Sequence, residues 1–227
     1  MPNSGNPRQL ALTLSHPQSF AREDFLSGPS NAVALALVEA WPDWPARAVA
    51  LVGPDGSGKS HLADIWAAEA GARTISAAAL NEASLPGVLA SGAVVVEDLA
   101  EGGIDERALF HLLNLAREEG AFALLTMRTP PAGWKLALRD LASRLRALPV
   151  VTVTPPDDVL LRSLLVKLFS DRQIAVEESL IAYLATHIER SCAAARVAVE
   201  ELDREALRQK RPITRALAAE LYRDRLP

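Results

Sequence analysis

Five short strand-like runs punctuate the first two thirds of the chain: AVALV (48–52), RTIS (73–76), AVVVE (93–97), AFALLT (121–126) and VVTVT (150–154). Between them lie longer patterns at helical period. Nearly continuous apolar runs of this length are what parallel strands need when helices cover both faces of their sheet. The alternation predicts a three-layer α/β domain around a parallel five-stranded sheet. Ahead of the first run a helix is expected from Ser30, with Ser30 or Asn31 as its cap and Val33, Leu37, Val38 and Trp41 on its inward face. The segment WPDWPA then ends it.

Beyond Pro155-Pro156 the pattern changes. DDVLLRSLLVKLFSDR, EESLIAYLATHIE, AAARVAVEELDREALRQ and ITRALAAELYRDR all read at helical period, with no strand candidate among them. They predict a small C-terminal lid of about four helices. At the other end, residues 1–24 are rich in Pro, Ser and Asn and read as a flexible tail, interrupted by QLALTL at 9–14. Its leucines alternate as in a strand, so it is either an edge strand of the main sheet or an apolar peptide on a tether. The expected division is a tail (1–24), an α/β domain (25–155) and a helical lid (156–227).

Composition narrows the function classes. With 227 residues, 49% hydrophobic and 23% charged, the chain has ample material for a buried core. A net charge of −4 argues against a dedicated DNA-binding face, although a local basic patch fits within it. The single cysteine, Cys192, forms no internal disulfide and is expected to pack as a small hydrophobe in a reducing compartment. Neither a signal peptide nor an apolar run of membrane-spanning length stands in the sequence, which points to the cytoplasm and away from the membrane.

The strongest chemistry lies in GPDGSGKS, Gly53 to Ser60, which follows the first strand and opens a helix. Glycines such as Gly53, Gly56 and Gly58 let such a loop turn its amide N–H groups inward onto phosphate oxygens, and the helix adds its positive end. Lys59 is placed for the β- and γ-phosphates and the Ser60 hydroxyl for magnesium. AVVVEDL supplies the acids, with Glu97 as the magnesium-site residue and Asp98 in the place of a base. The usual order has the shorter acid first. Its inversion predicts poor geometry for hydrolysis, because phosphoryl transfer depends mainly on positioning. Thr126 ends the next strand, where a hydroxyl could meet the γ-phosphate or could simply finish the strand. Arg144 in LASRLRALP and Arg190 in IERS would, on pattern alone, be solvated helix arginines.

These residues together resemble the DnaA-type AAA+ proteins. FLSGPSNAVALALV followed by GPDGSGKSHL is similar to their adenine and phosphate sites, LASRL with a strand and PPDD to the segment bearing their arginine finger, and RPITRALAAELY to the end of their lid. The resemblance runs from about Phe20 to Leu221. No DNA-reading helix-turn-helix segment follows the lid within this sequence. With QLALTL, that narrows the resemblance to the Hda-type regulatory paralogues of DnaA, whose N-terminal peptide docks on the DNA polymerase III sliding clamp (its β subunit).

The resemblance implies an AAA+ fold holding ADP or ATP with Mg2+. Phe25, Leu26, Asn31 and His61 would line the nucleotide, Thr126 would be the first sensor, and Arg190, or alternatively Arg196, the second. Arg144 would be an arginine finger acting in trans on DnaA. Gln9 would bind the rim of the clamp pocket, and Leu10, Leu12 and Leu14 would anchor in it. Ala11 and Thr13 depart from the commoner form of that peptide. Leu14 and Phe25 are 11 positions apart (25 − 14 = 11), a reach of up to roughly 35–40 Å at full stretch. The implied function is an ADP-bound negative regulator of replication initiation with weak ATPase activity, possible as a homodimer, with direct DNA contact undecided. An autonomous ATPase such as a helicase loader, or a nucleotide-binding structural subunit, would share the same core.

Overall fold

The computed structural model describes residues 21–223. The clamp-peptide residues Gln9, Leu10, Leu12 and Leu14 lie outside them. Five strands form one all-parallel sheet: β1 (Ala48–Val52), β2 (Arg73–Ser76), β3 (Ala93–Leu99), β4 (Phe122–Met127) and β5 (Val150–Thr152), in the order β2-β3-β4-β1-β5. The order follows from crossovers that each need a helix, supplied by α2 (Lys59–Ala70), α3 (Leu85–Leu89), α4 (Glu106–Glu118) and α5 (Arg139–Ala147), with α1 (Ala32–Glu39) ahead of the first strand.

Strand side chains divide by parity between two cores. Ala50, Val52, Val94, Val96, Ala123 and Leu125 pack with α3, α4 and α5 on one face. Val49, Leu51, Val95 and Leu124 pack on the other face with Leu35 and Val38 of α1 and Leu62, Ile65 and Trp66 of α2. Burial on both faces is why these strands read as unbroken apolar runs.

The structure keeps Val38 buried on α1 and packs Leu37 and Trp41 against the same core, as expected, but turns Val33 outward. Val33 is 68% exposed, and the buried residues are Ala34, Leu35 and Val38. AVALALV is apolar all round, so its period does not select a face; packing against α2 and β5 does. Asn31 stands at the cap position but makes no capping bond. Its amide donates to the Leu26 carbonyl (2.9 Å) and its oxygen accepts from the Gly28 N–H (2.8 Å), closing the entry loop instead.

Past β5 come α6 (Asp158–Asp171), α7 (Glu178–His187), α8 (Cys192–Gln209) and α9 (Arg215–Tyr222). Asp157, Ser191 and Thr214 cap α6, α8 and α9 by accepting backbone N–H bonds. These helices bury their own core of Leu161, Leu165, Phe169, Leu184, Val199 and Leu202. Cys192 is half-buried at the start of α8 with a free thiol, whose pKa burial pushes up. No helix among the described residues is long and apolar enough to cross a membrane.

Candidate nucleotide site

The loop between β1 and α2 is held from beneath. The Gly53 N–H donates to the Met127 carbonyl at the end of β4 (3.1 Å). A β-carbon on Gly53 would stand 2.1 Å from the Val153 carbonyl oxygen, so only glycine lets the loop leave the sheet here. Gly56 and Gly58 have φ of 68° and 104°, the left-handed region that glycine enters without penalty. The loop's turn into α2 is thus written in its glycines.

Lys59 is buried, and its ammonium donates to the Pro54 carbonyl of the same loop (2.9 Å). Burial lowers its pKa, with Arg128 acting in the same sense, while Asp55, Asp98 and Glu97 oppose the shift. Ser60, one residue on, is exposed at the start of α2.

Strand order brings the acids to this lysine. β4 lies between β1 and β3, so Thr126 is flanked by the P-loop strand and the strand of Glu97 and Asp98. The β3–β4 ladder shifts register between Val96 and Leu99, and Asp98 adopts φ 59°. Its N–H turns to donate to the buried Thr126 hydroxyl (3.1 Å). A bulge with a non-glycine residue in the left-handed region is costly backbone, and such features collect at functional sites. Glu97 ends up half-buried with Oε1 unpartnered among the described residues, and so does the Ser57 hydroxyl.

Those orphaned atoms fit a phosphate-bearing ligand with its metal. Buried polar groups cost free energy unless paired. An N–H-rich loop, a lysine, a hydroxyl and a carboxylate are the partners such a ligand would pair with. No group of three or more His, Cys, Asp and Glu able to cage a metal occurs among the described residues. Magnesium keeps waters and phosphate oxygens and needs one or two protein ligands; Ser60 and Glu97 are the residues that would supply them.

Phe25 is buried, with its ring edge-on to His61 at 5.1 Å and its Cε2 3.7 Å from where a Gly58 β-carbon would sit. Leu26 and Asn31 complete the entry loop beside it, through the bonds already given. His61 Nε2 lies 3.2 Å from the Ala21 carbonyl oxygen. Burial lowers its pKa, helped by Arg196 and Lys167 and opposed by that carbonyl and by Asp24.

The two candidate second sensors differ in burial and surroundings. Arg190 is 62% exposed, its nearest acid oxygen being Asp158 Oδ1 at 3.9 Å. Arg196 is half-buried on α8, and its charge acts on both His61 and Cys192. The lid meets the loop through the Cys192 N–H, which donates to the Gly56 carbonyl (2.7 Å).

Arg144 is elsewhere. It stands in the last turn of α5, its guanidinium 5.1 Å over the Phe110 ring, at the amino end of the strands.

Two further residues belong to the nucleotide side and were not singled out by motif. Arg128, just past β4, pairs with Asp55 of the loop (2.8 Å). Its position at a strand's carboxyl end was the available signal. Asp64 has its carboxyl pKa raised, first by burial and then by the charge of Glu97. It lies four residues after Ser60, hence on the same face of α2.

Solved structures share this architecture. Domain III of the Thermotoga maritima replication initiation protein DnaA matches over 90% of this chain and 96% of its own, with TM-score 0.74 and 19% identity. The Thermotoga maritima RuvB Holliday junction branch migration motor matches over 90% and 72%, with TM-score 0.71 and 17% identity. The fold is the AAA+ fold. DnaA from Aquifex aeolicus, solved with AMPPCP bound, matches over 84% of this chain and 69% of its own, with TM-score 0.64 and 17% identity. No protein-family model and no curated protein matches the sequence.

Proposed function

We propose that this chain is a nucleotide-binding AAA+ regulator of the DnaA type. In this reading it holds ADP, docks on a replication sliding clamp through residues 9–14, and brings Arg144 to ATP bound by DnaA. The place of Arg144 is the observation that carries it. The P-loop leaves the carboxyl end of β1, whereas Arg144 shares a groove with Ala46, Ala48 and Pro149 at the amino ends of β1 and β5. A strand's length, roughly 15 Å at 3.3 Å per residue, separates the two. An arginine so placed faces a second molecule's phosphates rather than its own.

Phosphoryl transfer spreads negative charge over the transferred group, and an arginine brought to it in trans accelerates the step by about 10³–10⁵. The planar guanidinium stays charged and grips two oxygens at once. The interrupted ladder at Glu97 and Asp98 supports slow turnover by the chain itself. Purified chain, clamp-loaded DNA and ATP-bound DnaA test the reading. Wild type should stimulate hydrolysis, Arg144→Ala should lose the stimulation while still binding ADP and clamp, and Arg144→Lys should recover little. Unchanged stimulation by Arg144→Ala would sink it.

The convergence of Lys59, Glu97, Asp98 and Thr126 favours a second reading, an autonomous ATPase such as a helicase loader. Brisk magnesium-dependent turnover by the purified chain alone would select that one.

A further inference from the structure

At the amino edge of the sheet lies a groove that the nucleotide site does not use. Its volume is about 500 Å3, its walls include Leu113, Ala116, Leu148 and Pro149, and Arg47, Arg117 and Arg144 stand around it. None of these arginines is ion-paired among the described residues. Two are held over aromatic faces instead, Arg47 over Phe122 (4.4 Å to the ring centre) and Arg144 over Phe110 (5.1 Å). Stacking of this kind fixes the direction of a long side chain and leaves its charge unneutralised. On a chain of net charge −4, one apolar groove therefore gathers unpaired positive charges. Their mutual repulsion is relieved when an anionic group lies among them.

We infer that this groove docks an acidic protein segment with an apolar side chain at its centre. A leucine or phenylalanine seats against Leu113 and Leu148, and carboxylates on either side are gripped by the guanidinium forks of Arg47 and Arg117, which leaves Arg144 for the phosphates. An apolar anchor inside a charged rim gives affinity from the first and orientation from the second. Apolar walls give no partner to a phosphate backbone, which is why a protein segment is favoured over nucleic acid. The inference deepens the trans reading of Arg144: the segment belongs to the protein whose phosphates Arg144 meets. It rests on that reading for the partner's identity and not for the chemistry of the groove.

The test uses the full chain and two labelled peptides, EDELFEDE and its neutral counterpart QNQLFQNQ, followed by fluorescence anisotropy. The acidic peptide should bind at least tenfold more tightly. The double variant Arg47→Glu/Arg117→Glu should weaken it at least tenfold. Ala147→Trp should also weaken it, because Ala147 lines the groove and is exposed, so a larger side chain fills the space without touching the core or the charges. Equal binding of the two peptides overturns the proposal, as does full binding by Ala147→Trp, which would mean attraction without a seat. Displacement of the acidic peptide by an equal concentration of single-stranded dT20 overturns it in favour of a nucleic-acid surface.

A second arm separates this inference from the function it deepens. With DnaA present, Arg47→Glu/Arg117→Glu should raise the half-saturating concentration of the chain tenfold or more and leave the maximal rate unchanged, whereas Arg144→Ala lowers the maximal rate. A lowered maximal rate at unchanged half-saturation would overturn the docking role. If wild type fails to stimulate DnaA at all, the proposed function falls, and the peptide measurement still decides the groove.

Discussion

The two ends of the same parallel strands carry opposite chemistry. At the carboxyl end, glycines open the backbone, a buried lysine sits among acids, and the Ser57 hydroxyl and a Glu97 oxygen are orphaned. At the amino end, arginines without ion pairs among the described residues rim an apolar groove. In the proposed reading, one end encloses an anion that carries a metal and the other meets an anionic surface from outside. The parallel arrangement is the cause. It sends every loop after a strand to one edge and every loop before a strand to the other, so two sites can share a core without sharing residues.

If that separation holds, substitutions at one end should spare the other. The largest expected effect is at the amino end: Arg144→Ala should reduce stimulated hydrolysis on DnaA by about 10³–10⁵, with ADP affinity within twofold of wild type by calorimetry. Lys59→Ala is the converse. Loss of a charged hydrogen-bond donor costs about 1.5–3 kcal/mol, or about 10- to 150-fold in ADP affinity. Peptide binding in the groove should not change. Loss of peptide binding in Lys59→Ala would show that the two ends are coupled.

Much of this division could be read in the sequence, and the reasons differ by region. The P-loop and the parallel sheet were legible because glycine positions and unbroken apolar runs each have one physical cause. β1 and β2 fall where their runs predicted, and the lid has the expected four helices among the described residues. The buried face of α1 was legible only in part: Val38, Leu37 and Trp41 lie where the pattern predicts, but Ala34 and Leu35 are buried in place of Val33, since AVALALV offers apolar residues on every side. The bulge at Asp98 was not legible. AVVVEDL reads as a plain strand, and only the Thr126 hydroxyl on the neighbouring strand reveals why the backbone turns there. The resemblance named Arg144, but its grouping with Arg47 and Arg117 was hidden because the three are distant in sequence and each alone reads as a solvated surface charge.

A smaller effect sharpens how the carboxyl end is closed. Alanine at Gly56 must take φ near 68° and would put its β-carbon 2.9 Å from the Ala193 β-carbon and 3.0 Å from that of Ser191. The backbone term alone costs about 1–2 kcal/mol. At about 2–4 °C per kcal/mol for a chain of this size, Tm should fall measurably by calorimetry, and the start of α8 must shift off the loop. Gly133→Ala is the control. Nothing lies within 4 Å of its added carbon and its φ is ordinary, so Tm should stay put. Equal Tm for both variants would mean that the lid does not rest on Gly56.

The smallest expected effect uses pH, to which the two ends should respond differently. Arginines at the amino end keep their charge throughout the working range. At the carboxyl end, His61 is buried against Phe25, with Arg196 and Lys167 adding to the burial that lowers its pKa and Asp24 and the Ala21 carbonyl opposing it. A histidine whose pKa is lowered by folding stays neutral in the native state while the unfolded chain takes up a proton near its ordinary 6.5. Stability should therefore be complete above that value and decline as pH falls below it, flattening once the native ring also protonates. Each unit of depression is worth about 1.4 kcal/mol. Asp64 works in the opposite sense in a lower window. Its raised pKa favours the native state at low pH, and that help fades as pH rises above its ordinary 3.8. Urea unfolding of chain stripped of nucleotide and metal with EDTA, at pH 7.5, 6.5 and 5.5, reads the histidine window. His61→Asn should flatten the decline in that range. A decline that persists unchanged in His61→Asn would assign it to other groups and remove His61 as the pH-sensitive point of the nucleotide end.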